Sequence, residues 1–111
     1  MQLYSTGGVK VRQLNLHQIV AFSAAAAGFD ASRFHKLEIT ARGSELQVAL
    51  DGNVVEFDQG GRMVRRVAIP ASWEGPPRTG YDQGTAGVAF GAEPRGAGGQ
   101  QARNIAIGAI Q

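Results

Sequence analysis

The side chains with most to offer a ligand fall in residues 71–84, within Ser72-Trp73-Glu74-Gly75-Pro76-Pro77 and Thr79-Gly80-Tyr81-Asp82-Gln83-Gly84. Trp73 and Tyr81 each combine a flat apolar ring with a polar tip, and Glu74, Arg78 and Asp82 stand near them in the chain. Sugars stack their apolar faces on such rings while polar neighbours take the hydroxyls. Trp73, Tyr81 and Asp82 are therefore ligand-binding candidates. A lone Trp also buries a large area, so pinning the loop onto a core explains Trp73 equally directly. Pro76-Pro77 stiffens the segment, and a loop this long is a common place for function.

Glycoside hydrolysis needs two carboxyl groups flanking the bond. The acids on offer are Glu38, Asp51, Glu56, Asp58, Glu74 and Asp82. Glu38, Thr40 and Arg42 alternate along one strand-like run, so their side chains share a face. Glu38 is the best single acid, and Glu38 with Arg42 joins the ligand-binding candidates. The plainer reading makes Glu38 a solvated strand residue paired with Lys36 or Arg42. Asp51, Asn53 and Asp58 carry oxygens of the kind Ca²⁺ takes from one end of a hairpin. Asp51-Gly52 is already explained as turn chemistry, and the carboxylates are too few to assign a metal site. His17 and His35 have no second ligand at metal spacing; His35 is expected to pack and to make a backbone hydrogen bond. Arg62, Arg65 and Arg66 offer charge to an acidic ligand, or simply a solvated strand face. Gly96-Ala97-Gly98-Gly99 lacks the Lys of a phosphate cradle. The chain has no cysteine, which excludes disulfides, thiolate metal ligands and Cys nucleophiles.

These side chains need a frame, and its clearest part is residues 34–57, FHKLEITARGSELQVALDGNVVEF. Leu37, Ile39 and Ala41 alternate with Glu38, Thr40 and Arg42, and Leu46, Val48 and Leu50 repeat that period. Asp51-Gly52 favours the positive φ angles of a tight hairpin, and Arg42-Gly43-Ser44 marks the reversal before it. The stretch predicts a three-strand antiparallel meander with Leu37, Ile39, Leu46 and Val48 turned inward.

Elsewhere the pattern predicts a short strand over residues 2–5, ended by Thr6-Gly7-Gly8. Residues 9–16 follow, with mixed faces that suit an edge strand or one with a partly wet face, and then a strand over 18–23. Residues 24–27 are all Ala, but Gly28 follows at once and the run is too short for a helix; it reads as a strand end entering a loop. Asp58-Gln59-Gly60-Gly61 is a break, 63–69 is one further strand, and Pro70 ends it. Residues 85–91 and 102–110 read as the last strands, the latter with Ile105 and Ile107 on one face. Eight or nine short strands without an amphipathic helix argue for an all-β sandwich or barrel.

A length of 111 residues suits one domain spanning 1–111. A hydrophobic share of 43% fits a globular chain rather than a disordered one. The net charge is only +2, and aromatic and basic residues are not interleaved, so nucleic acid is not the expected partner. No apolar run approaches the roughly 20 residues that span a bilayer, and the first residues lack the basic and apolar regions of a signal peptide.

The segment HKLEITARGSELQVALDGNVVEFD resembles a pattern of the concanavalin A-like jelly rolls, nearest the bacterial 3-keto-disaccharide hydrolase domain and the related laminin-G-like modules. Residues 34–43 are similar to that family's W-[NH]-x-L-x-[IV]-x-A-x-G segment, with Phe34 in place of Trp. Leu50-Asp51-Gly52 matches its L-[ND]-G element. Gly84-Thr85-Ala86-Gly87-Val88-Ala89-Phe90 and Ala102-Arg103-Asn104-Ile105-Ala106-Ile107 resemble its last two strands. The resemblance covers residues 30–111 well and the first thirty loosely.

It implies an antiparallel, jelly-roll-like β-sandwich, incomplete because such domains are longer. On that reading the chain is the C-terminal portion of a larger jelly roll, with earlier strands missing before Met1. The sheet edge left open would invite pairing with a second copy. The resemblance also implies glycan binding on a concave sheet face, which Glu38 would reach, and a periplasmic or secreted bacterial protein. It transfers no catalytic residue, because the chain has no E-x-D-x-x-E triad. The leading expectation is thus a carbohydrate-binding or accessory module without catalysis of its own. A keto-sugar or glycoside hydrolase with Glu38 as its acid, and a self-associating structural module, stand as alternatives.

Overall fold

The computed structural model describes residues 1–13, 18–70 and 103–106. The described residues form nine strands and no helix. They are β1 (Gln2–Leu3), β2 (Val9–Gln13), β3 (Gln18–Phe22), β4 (Leu37–Arg42), β5 (Glu45–Leu50), β6 (Asn53–Val54), β7 (Phe57–Gln59), β8 (Arg62–Val64) and β9 (Val67–Ala68). Every pairing is antiparallel. One sheet runs β1-β2-β3-β7-β8, and the other runs β4-β5-β6 with β9 also on β5. The two pack face to face as the expected all-β sandwich. Val9, Val11, Ala21 and Phe57 of the first sheet meet Val48 and Val67 of the second in one buried cluster.

The turns follow their dipeptides. Asp51 and Gly52 have φ of 52° and 83° between paired Leu50 and Asn53, which is the two-residue turn that needs positive φ at both centres. Gly60 and Gly61 do the same at 62° and 87° between β7 and β8. At Gly43-Ser44 only Gly43 is left-handed, at 58°.

Five expectations are corrected. Of the two readings of β2, the edge strand is the one corrected: β1 and β3 flank it, Val9 and Val11 lie in the core, and the half-buried Lys10 and Arg12 make the partly wet face. Second, the meander's third strand is split. β6 closes on β5, then Val55 and Glu56 carry the chain across to β7 in the other sheet. Third, residues 63–69 are not one strand. β8 stays with β7, Arg65 and Arg66 turn the chain back, and β9 joins β5. Fourth, Ile39 is 52% exposed and Ala41 is exposed; Leu37 and Leu46 are half-buried and only Val48 is fully covered. Fifth, Arg103–Ala106 is not strand: Asn104 takes a left-handed φ of 54° and Ile105 is 58% exposed. Here the Arg103 guanidinium lies 3.8 Å from the centroid of the Phe34 ring. The other residues expected in the strands at 85–91 and 102–110 lie outside the described residues.

Polar side chains tie the layers together. Where the chain leaves and re-enters the second sheet, Arg65 donates to Glu56 Oε1 at 3.3 Å from Nε and 3.2 Å from Nη2. Gln59 on β7 reaches β9 with its amide: Nε2 donates to the Ala68 carbonyl at 2.8 Å, and the Ala68 N–H donates back to Oε1 at 3.2 Å. That amide acts as a peptide unit and satisfies backbone groups at the end of the short β9.

Candidate functional site

Three segments enclose an open depression of about 440 Å³ at one end of the sandwich. The loop after β3 supplies Phe29, the β5–β6 hairpin supplies Asp51, Asn53 and Val54, and Glu56 and Met63 complete the rim. Val54 and Met63 are exposed apolar side chains, at 41% and 64%. Apolar surface with a few polar groups around it is the usual composition of a small-molecule site.

Gly7 sets the position of the loop wall. Its φ is +80°, and a Cβ there would meet Ala26 Cβ and Phe29 Cγ at 2.7 Å. Only glycine admits both that backbone and that approach. The Ala26 N–H donates to the Thr6 carbonyl at 3.0 Å, holding the loop against the β1–β2 turn.

His35 closes the other wall. Its ring stacks on Phe29 with centroids 4.0 Å apart and planes 22° from parallel. Nδ1 lies 2.6 Å from Asp51 Oδ2, and Nε2 lies 2.6 Å from the Asp30 carbonyl oxygen. Both partners are acceptors, so the ring makes both bonds only as the imidazolium, a donor at both nitrogens. The Asp30 carbonyl first, and the Asp51 carboxylate second, hold the His35 pKa above its ordinary value.

Asp51 answers from the hairpin turn. Oδ2 accepts from His35, Oδ1 accepts from the Lys36 N–H at 2.8 Å, and the Asp51 N–H donates to the Lys36 carbonyl at 2.8 Å. The His35 bond, then the Lys36 N–H, draw the Asp51 carboxyl below its usual range. Asp30 is also lowered, chiefly by the Ser32 hydroxyl at 2.6 Å and the Ser32 N–H at 2.9 Å. The expected backbone bond of His35 is present. Its partnership with Asp51 was not foreseen, although a His next to the first strand of a hairpin and an Asp in that hairpin's turn was the signal available.

The other sequence candidates among the described residues are dispersed. Glu38 pairs with Lys36 at 3.2 Å on the exposed face of β4, as the plainer reading had it. Arg42 ends the same strand opposite Glu45, and neither Glu38 nor Arg42 lines the depression. Asp51, Asn53 and Asp58 do not meet at one end of a hairpin. Asp58 belongs to the β7–β8 hairpin of the other sheet, where its Oδ1 accepts from the Gly61 N–H at 2.8 Å. Among the described residues no three His, Asp or Glu side chains gather as a metal site would require. No helix among them is long and apolar enough to cross a membrane. Trp73, Tyr81 and Asp82 lie outside the described residues.

Comparison with known proteins finds no matching family model, no matching curated protein and no matching solved structure.

Proposed function

We propose that this β-sandwich is a binding module for a saccharide-like ligand, seated in the depression between Phe29 and the β5–β6 hairpin and without catalysis of its own. The single observation behind this reading is that depression, lined by the apolar Val54 and Met63 together with the polar Asn53 and Glu56. A sugar ring presents the matching combination, an apolar face edged by hydroxyls. Trp73, Tyr81 and Asp82 remain ligand-binding candidates on their residue types alone, rings to stack on a sugar beside a carboxylate for its hydroxyls.

Saturation-transfer NMR against a panel of neutral mono- and disaccharides tests the reading. Binding that weakens roughly tenfold in Met63→Ser and in Asn53→Ala supports it, that factor being the loss of about 1.4 kcal/mol of contact. Binding lost in Trp73→Ala but untouched by those two substitutions moves the site to residues 71–84. No transfer from any sugar in the panel ends the proposal.

A further inference from the structure

β4 is bonded on one side only: among the described residues its sole partner strand is β5. The turn at Gly43-Ser44 fixes which backbone groups are free. In a two-residue hairpin the flanking pair, here Arg42 and Glu45, exchanges both hydrogen bonds, and such pairs recur at every second position. Thr40 with Gln47 and Glu38 with Ala49 are therefore bonded pairs. Leu37, Ile39 and Ala41 point their N–H and C=O groups away from β5. A free edge of this kind is a template for another strand.

The side chains specify which strand. Glu38, Thr40 and Arg42 share the outer face, and Ile39 with Ala41 forms an exposed apolar pair on the inner one. We infer that β4 pairs antiparallel with β4 of a second copy of this chain, about a two-fold axis at Thr40. In that register Glu38 faces Arg42 of the partner subunit, and Arg42 faces Glu38 of the partner subunit. Ile39 packs beside Ala41 of the partner subunit, twice over, and these are the residues whose backbone groups are free to bond. Opposite charges directly across strands stabilise a pair, and like charges oppose it. Moving the axis to Ile39 sets Lys36 against Arg42 of the partner subunit. Moving it to Ala41 leaves Glu38 without a cation opposite. A shift of a single position sets free backbone groups against ones already bonded to β5. The charge pattern and the backbone phase thus select one register, and the two four-stranded sheets become one continuous sheet.

A contact through one short strand is of the small, transient class. Sedimentation equilibrium of the full chain should show a mass rising from monomer toward dimer between about 10 µM and 1 mM, the range expected of such contacts. Glu38→Arg sets like charges together at two places and should weaken association roughly tenfold. Glu38→Arg combined with Arg42→Glu restores opposite charges and should recover it. The chain lacks cysteine, which permits a direct probe. Opposed residues in a non-bonded pair stand about 4.5 Å apart at Cα, within disulfide reach. Thr40→Cys should therefore link to itself on mild oxidation. Glu38→Cys should not, its two copies being about 13 Å apart along the strands. A monomeric mass throughout that range, or a dimer that ignores the charge reversal or is not rescued by the swap, overturns the inference. An unlinked Thr40→Cys in chains that keep the wild-type far-ultraviolet spectrum also overturns it, whatever happens to the folding of the charge variants.

Discussion

β4 and β5 are adjacent, equal in length and matched residue for residue, yet they are held in different ways. Ile39 and Val48 are cross-strand partners; Ile39 is 52% exposed and Val48 is fully buried. β5 has β4 along one side and β9 and β6 along the other, with Phe57 and the β2 valines packed beneath. Among the described residues β4 has one ladder, the half-buried Leu37, and the His35–Asp51 bond that fastens its entry to the hairpin turn. Alternation of side chains therefore reports which face of a strand turns inward. Whether anything lies over that face depends on the strand's place in the sheet.

The sharpest way to break this contrast is to truncate its buried member. Val48→Ala should lower unfolding free energy by about 2 kcal/mol, the transfer of the lost methyl groups plus the void they leave, read from urea denaturation. A loss below about 0.5 kcal/mol, the range of ordinary surface changes, would put Val48 on the same footing as Ile39.

The fastening of β4 should depend on pH. Because His35 is raised in the fold, its contribution is complete below its unfolded pKa and is lost as pH rises through the folded value. Asp51 is lowered, so its share is complete above its unfolded pKa and is lost as pH falls through the folded value. The window between the two, mildly acidic to neutral, is where His35→Asn should differ most from wild type. There its Tm should be modestly lower, and hydrogen exchange should be faster in β4 than in β5. Above the raised His35 pKa the difference should shrink to what the ring's stacking on Phe29 supplies. A Tm difference that is constant with pH would show that the imidazolium does not hold the strand.

The smallest effect is expected at the exposed partner. Ile39→Thr should change unfolding free energy by no more than about 0.5 kcal/mol, because the residue meets little in the monomer. A cost near that of Val48→Ala would mean that β4 is covered after all.

Much of this frame was legible in the sequence because it is written locally. Asp51-Gly52 named its own turn, as Gly43 did, and the two matched runs on either side of Gly43 could only pair antiparallel. The crossings at Val55-Glu56 and Arg65-Arg66 were not legible. Apolar alternation carries on through Val55 to Phe57, two arginines alone interrupt the run at the second point, and which sheet a strand joins is decided by packing far away in the chain. Ile39 was misjudged for the same reason. The site was legible only in fragments: His35 was expected to bond to backbone and Asp51 to serve its turn. Their meeting needed the hairpin to bring residues 35 and 51 together, and the wall built by Gly7 and Phe29 joins segments with no shared motif.

The two changes of layer at Val55-Glu56 and Arg65-Arg66 have a consequence for how the molecule comes apart. β7 and β8 complete one layer, yet they are strung between β6 and β9 of the other. Neither half can detach as a unit, since the covalent chain itself laces them. Loss of order should therefore spread through both layers in a single all-or-none event, with spectroscopic reporters in either layer giving one common midpoint.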